Sequence, residues 1–526
     1  MKGIQKRFLC VILAALFLLS VPFGAPARAD EGGFLLPGEE GFRYEGEGFD
    51  TPEDAALYYL AGLKNQDFEQ MLAAFAWETQ ADHYDFRSLA AYLRGFDPVI
   101  VPGMPFSNEL LYSANLEQIR CRQAYLISRA LELFVNSEME TSSTRTVLMK
   151  DEAEIDEYFR RCDNSWPEQF ASLGNIRIYT PDDLTEGKFS NEMNQKNYLK
   201  QNARYGAEET RDVVIFADAG DTTIAIMPVA ARYGDRWYLV NVSSMTSLIL
   251  GIATNCQALF PVPDELAETV KGIEPAVRVS DLPDRIREEV RYEGDGFGTP
   301  EEAAGYYLEG LKNRNIQQML AAFAWETQNS RYSLKDNILR MQCVNESAAI
   351  RMPASGDLMA GSNLCSLRYT QVNRIDKALR CYVLAEADRF GEILEGYRIN
   401  FDGEEDVDAF ITLHDNDRTE KLAGMSDVRF ADPASVIPRY NTEPTKELLD
   451  KYRGIYGADE IRELIGAADL GGETLLFNPI LARYGDRWFI VTVQGIAFSL
   501  LGVDYQRQAF FTFPGTLEDY LRQLQQ

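Results

Sequence analysis

Apolar residues recur at helical spacing twice in quick succession early in the chain. Ala56, Tyr59, Leu60 and Leu63 follow the i, i+3, i+4, i+7 rhythm of one buried stripe. After a break at Lys64-Asn65, Phe68, Met71, Leu72 and Phe75 repeat that rhythm. Thr51-Pro52-Glu53-Asp54 is a strong start signal: a hydroxyl to cap free N–H groups, a proline suited to the first helical position, and acids at the positive helix end. The pattern predicts a helical hairpin with two apolar faces, which needs a partner layer. Residues 223–231 and 236–243, rich in Ile, Val, Tyr and Trp, flank Tyr233-Gly234-Asp235 and predict strands joined by a tight turn. Between these ends, 117–134 and 207–216 read as helices and 176–179 as a short strand. The chain reads as α+β.

The whole pattern occurs twice. Residues 43–80 and 291–328 are identical at 29 of 38 positions with an offset of 248. The same offset pairs Arg120, Gln123 and Ile127 with Arg368, Gln371 and Ile375. An offset of 251 pairs Tyr205-Gly206-Ala207 with Tyr456-Gly457-Ala458, and 231–237 with 482–488. The expected organisation is a signal peptide (1–29), a short lead (30–42), a first unit (43–264), an acidic linker (265–290) and a second unit (291–526). A period this long means two homologous domains rather than a solenoid.

Composition narrows the function classes. There are 81 Asp+Glu against 52 Lys+Arg, a formal net charge of −29. Nucleic-acid binding and docking on an anionic membrane both depend on Lys and Arg, so this balance argues against them. Lys2, Lys6 and Arg7 precede an apolar run over 8–19, then Pro22, Gly24 and the small-residue site Ala27-Arg28-Ala29. That is the pattern of a secretory signal peptide, with cleavage expected after Ala29, and it predicts a secreted or bacterial-type extracytoplasmic protein. The run is shorter than the roughly 20 residues of a spanning helix, so no stable membrane insertion is expected after cleavage. Six cysteines remain in the mature chain: Cys121, Cys162, Cys256, Cys343, Cys365 and Cys381. They fail to align between the units, and so do the two histidines, His83 and His414. No metal and no cofactor is expected. The acidic turns at 218–221 and 402–406 lack the alternating oxygens of a calcium loop.

A helix opened by Thr-Pro-Glu, a break, a second helix ending in the Ala-Phe-Ala-Trp run of 74–77, and a closing hairpin with Gly-Asp-Arg-Trp at 234–237 together resemble the NTF2-like superfamily. The resemblance implies helices wrapped on a curved antiparallel sheet, forming a cone with an open apolar mouth. It covers about the first 45 and last 40 residues of each unit, and the middle, about 100 residues, would be a mixed helical insertion. It further implies either a proton-transfer enzyme with a carboxylate base and a tyrosine donor, or a non-catalytic binder. The catalytic candidates are Tyr58 and Glu78 with their repeats Tyr306 and Glu326; a carboxylate raised in pKa beside a phenol could abstract a proton next to a carbonyl. The binding candidates add Trp77, Gln80, Trp325 and Gln328. Packing of the aromatic residues and a hydrogen-bonded helix terminus at Glu78-Thr79-Gln80 are the competing structural explanations. The leading expectation is an exported, non-enzymatic protein that binds a small ligand or a partner protein, with the two units free to pack on each other. A proton-transfer enzyme and a structural surface protein are the alternatives.

Overall fold

The computed structural model of the chain describes Pro37 and residues 42–523, apart from 94, 97–104, 106–107, 137–146, 164, 252–257, 286–289, 345–348, 384–398, 415–417, 438 and 504–506. The signal segment and Cys256 lie outside the described residues.

Each unit opens with the expected hairpin. The Thr51 hydroxyl accepts the Asp54 N–H at 3.1 Å and starts the helix Pro52–Lys64. Thr299 starts Pro300–Lys312 with a full capping box, in which Glu302 returns a bond to the Thr299 N–H. The second helices, Phe68–Leu72 and Ile316–Leu320, pack so closely that a Cβ on Gly62 would stand 2.6 Å from the Met71 nitrogen. They are shorter than the periodicity predicts. The chain leaves the helix so that Phe75 can bridge Leu239, with Ala76 N–H on the Leu239 carbonyl at 2.9 Å; Phe323 does the same at Ile490. Trp77 therefore precedes a new helix, Glu78–His83, instead of ending one.

The partner layer is antiparallel. A three-stranded sheet orders Glu209–Asp212, Val229–Tyr233 and Arg236–Asn241, and the second unit repeats it with Glu460–Glu463, Ile480–Tyr484 and Arg487–Thr492. The turns at Gly234 and Gly485 are left-handed, as a two-residue hairpin requires. A second sheet stands beside each: Gly174–Tyr179, Val214–Ala219 and Thr222–Ile226 form its body in the first unit, and Ser426–Ala431, Ile465–Asp469, Glu473–Phe477 and Phe511–Pro514 form it in the second. Two expectations are corrected here. Residues 207–216 hold the strand Glu209–Asp212 and the start of Val214–Ala219, in different sheets; burial alternates along the first, and the Asp212 carboxylate turns inward to the Thr246 N–H at 2.8 Å. Residues 223–231 are two strands in different sheets, divided at Pro228, which has no N–H to continue a ladder. The acidic stretch 265–290 is more than a tether: it carries most of the helix Asp264–Lys271 and the edge strand Val277–Val279, which pairs with Gly174–Tyr179.

The units share one core. Two long helices, Glu109–Val135 and Asp357–Val383, pack on each other. Arg368 meets Glu117 while Ser362 meets Ser128, so they run in opposite senses about an approximate two-fold axis. Short strands cross between the units symmetrically: Gly95–Phe96 pairs with Ile399–Asn400, and Val147–Leu148 with Cys343–Val344. Among the described residues no helix is long and apolar enough to cross a membrane.

Candidate functional site

The repeated polar residues form a clamp. The Glu45 carboxylate accepts the backbone N–H groups of Trp77 (2.8 Å) and Thr79 (2.9 Å). In return Glu78 accepts the N–H groups of Tyr44 (2.7 Å) and Glu45 (3.3 Å). Glu293 and Glu326 repeat the exchange: Glu293 takes Trp325 and Thr327 N–H at 2.7 and 2.8 Å, and Glu326 takes Tyr292 and Glu293 N–H at 2.8 and 2.9 Å. Each carboxylate satisfies donors that would otherwise be buried alone, which explains why both Arg-Tyr-Glu-Gly and Ala-Trp-Glu-Thr-Gln are duplicated whole. Trp77 and Trp325 are buried, and their indole N–H groups bond the Leu72 and Leu320 carbonyls at 3.1 and 2.9 Å. Tyr58 is 1% exposed and packs on Phe49, while Tyr306 is half-buried against Phe297. Gln80 is buried. Of the eight sequence candidates, Gln328 alone lines the cavity described below.

Burial pushes the carboxyls of Glu78, Glu293 and Glu326 above the usual range, against the opposing pull of their backbone hydrogen bonds. Asp212, Asp376 and Glu463 are raised for the same first cause. A raised carboxyl contributes most to stability below its unfolded value, and that contribution is lost as pH rises through the folded value. The melting temperature is therefore expected to rise between pH 7.5 and 5.5 at constant ionic strength, readable by differential scanning fluorimetry. A lower value at pH 5.5 would contradict it.

The clamp's second product is the placement of Tyr44 and Tyr292 at the crossing of the long helices. Arg120 and Arg368, which the repeat pairs without a role, lie there almost fully buried. Arg120 bonds Glu69 at 2.8 Å and also the Tyr292 hydroxyl, which donates to Glu69 at 2.7 Å. Arg368 bonds Glu117 at 3.0 Å; Glu117 also accepts from Gln317 at 2.6 Å and from the Tyr44 hydroxyl. The arginines and tyrosines are symmetric but the acids are not. Glu69 corresponds to Gln317, and Glu117 to Cys365. Burial alone would raise the Glu117 carboxyl, but Arg368 and Arg120 outweigh it and hold it below the usual range.

Beside this crossing lies a cavity of about 460 Å³. The second long helix, the helices Leu334–Met341 and Glu443–Tyr456, and the chain leaving Arg487–Thr492 supply most of its wall, and Tyr125 enters from the first unit. Five tyrosines line it. Tyr125 stacks on Tyr369 with centroids 4.4 Å apart, Tyr452 stacks near Tyr456 at 5.8 Å, and Tyr332 stands 6.3 Å from Tyr456. Arg340, Arg351 and Arg374 also line it, and among the described residues no Asp, Glu or Lys does. Arg351 is neutralised by buried Glu132 at 2.9 Å, and Arg374 donates to the Thr492 hydroxyl at 2.7 Å. Arg340 sits 5.2 Å over the Tyr452 ring, and its Nε has no hydrogen-bond partner; neither has Gln328 Oε1. Among the described residues no group of three or more His, Cys, Asp or Glu side chains converges as a metal site would.

No known family model matches the chain, and no curated protein matches it. A solved structure does: a cystatin-like protein from Ruminococcus gnavus ATCC 29149, with a TM-score of 0.50 and 14% identity over 90% of this chain and 95% of that one. At such identity the likeness concerns the fold alone: an α+β architecture that spans both units.

Proposed function

We propose that the chain is an exported, non-enzymatic binding protein of two tandem, elaborated NTF2-like units, and that the cavity beside their crossing holds a small ligand. One observation carries the reading. The cavity gathers half-buried tyrosines from both units among amide, hydroxyl and guanidinium side chains, and three of its lining residues, Gln328, Arg340 and Arg351, each carry a buried polar atom without a partner; aromatic faces converging with such groups in a concavity are how small-molecule pockets fix a ligand. The N-terminal segment supports export. The proton-transfer alternative is the weaker one, because Glu78 and Glu326 are engaged by backbone N–H groups and stand apart from the cavity.

A thermal-shift screen of the mature chain against charged and neutral small molecules tests the proposal. Saturating ligand at about 100 times its Kd stabilises by about 2.7 kcal/mol. The stabilisation is expected to vanish in Tyr452→Ala and to survive in Tyr58→Phe, which lies away from the cavity. A screen without hits, or hits indifferent to Tyr452→Ala, would sink it.

A further inference from the structure

We infer that the cavity's ligand is a small organic oxyanion, a carboxylate or phosphate ester carried on a flat apolar body; this rests on the binding reading above and adds the chemical class. The first ground is charge. The chain holds 81 acids against 52 bases, yet the described residues of its cavity wall include three arginines and no acidic side chain. Chance placement in so acidic a protein would put several carboxylates there. At physiological salt, charges are screened within about 8 Å, so a bound group responds to the nearby arginines rather than to the distant net charge.

The second ground is the state of Arg340. Unlike Arg351, which Glu132 neutralises, Arg340 makes no ion pair among the described residues, and its Nε is buried without a partner. A guanidinium is a planar fork that matches two oxygens of a carboxylate or phosphate at once. Its surroundings suit such a grip. Tyr452 supports one face, and the wall beyond includes tyrosine, threonine and amide side chains, with no carboxylate among its described residues to compete. The third ground is the shape of the apolar part. Tyr456 lies within ring-contact distance of both Tyr452 and Tyr332, and a flat body can extend such a group by offset packing. Gln328, 2% exposed with a free Oε1, offers an acceptor for a hydroxyl or N–H on that body.

Calorimetric titration of the mature chain with 2-naphthoate, 2-naphthyl phosphate and the neutral 2-naphthamide tests this, since the three share one body and differ in the head group. Both anions are expected to bind at least about tenfold more tightly than the amide, as a charge-assisted pair should exceed a neutral one. The order of the two anions then tells carboxylate from phosphate. Arg340→Gln is expected to erase the preference while the melting temperature of the unliganded protein stays unchanged, and Tyr452→Ala is expected to weaken all three. Equal affinity for the amide overturns the oxyanion and leaves the binding reading intact. Silence from all three overturns the inference as well, and the binding reading falls with it only if the broader screen is also silent.

Discussion

Replacing Glu117 with glutamine is expected to lower stability by about 3–5 kcal/mol, the range for removing one partner of a buried ion pair. Glu117 has no exposed surface, and Arg368 opposite it is 1% exposed. Glutamine keeps the size of the side chain, so no cavity confuses the result. What remains is a guanidinium in the interior with the Tyr44 hydroxyl at 3.3 Å and the ring faces of Tyr292 and Trp325 at 4.0 and 5.2 Å. Those faces attract a cation but return only about 2 kcal/mol when desolvated. Because the units share a core, urea denaturation should give one transition whose midpoint falls. Glu117→Leu combined with Arg368→Met should recover most of the loss, since replacing a buried pair by apolar groups is often neutral. A loss under about 1 kcal/mol in the single variant would mean that the charge is compensated elsewhere.

Gly206→Ala is expected to cost about 2–5 kcal/mol, and Gly457→Ala the same. Both glycines end helices in the left-handed region, at φ +62° and +59°. A Cβ on Gly206 would stand 1.8 Å from the His83 carbonyl oxygen, and one on Gly457 2.2 Å from that of Arg331. The conformation alone costs a non-glycine residue about 1–2 kcal/mol, and forcing an atom into a filled space adds about 1–3 kcal/mol. Gly234→Ala separates the two: it shares the φ of +62° but has nothing within 4 Å of its would-be Cβ. It should lose the conformational part alone. Equal losses at Gly206 and Gly234 would show that the contact with residue 83 does not matter.

The helical hairpins are legible in the sequence because their signals are local: a threonine cap, a proline and a four-residue rhythm sit within one stretch. The buried network is not legible, for a specific reason. A search for repeats keeps what is identical, and Arg120 and Arg368 survive it, but the acids that neutralise them do not, since Glu69 faces Gln317 and Glu117 faces Cys365 in the alignment. Two carboxylates per two arginines satisfy the interior whichever positions they occupy, so electroneutrality was retained while symmetry was lost. The polar repeat at Glu78 stands out in the sequence, and a helix terminus accounts for it. Its partner, Glu45, lies across the hairpin, where no spacing rule connects the two. The cavity is invisible for another reason. Its wall mixes repeated positions, such as Gln328, Tyr332, Gln371 and Tyr456, with ones where the units differ, Cys121 opposite Tyr369, Gln201 opposite Tyr452 and Tyr92 opposite Arg340, so no repeated motif marks it. The strand within 207–216 reads as helix because short, half-charged strands lack a distinguishing rhythm. The alternation of burial there is set by what lies beneath, not by apolarity.

The crossing of the long helices also sets a schedule for synthesis. The second of them begins at Asp357, 222 residues after Val135 closes the first. At roughly 5–20 residues per second, the first helix emerges about 10–45 s before its partner exists. For that interval an apolar face, an arginine bound for the interior and the unpaired edge of Val147–Leu148 are all uncovered. The first half of this chain is therefore expected to need protection during synthesis, and a product truncated near the middle is expected to self-associate through the same surfaces.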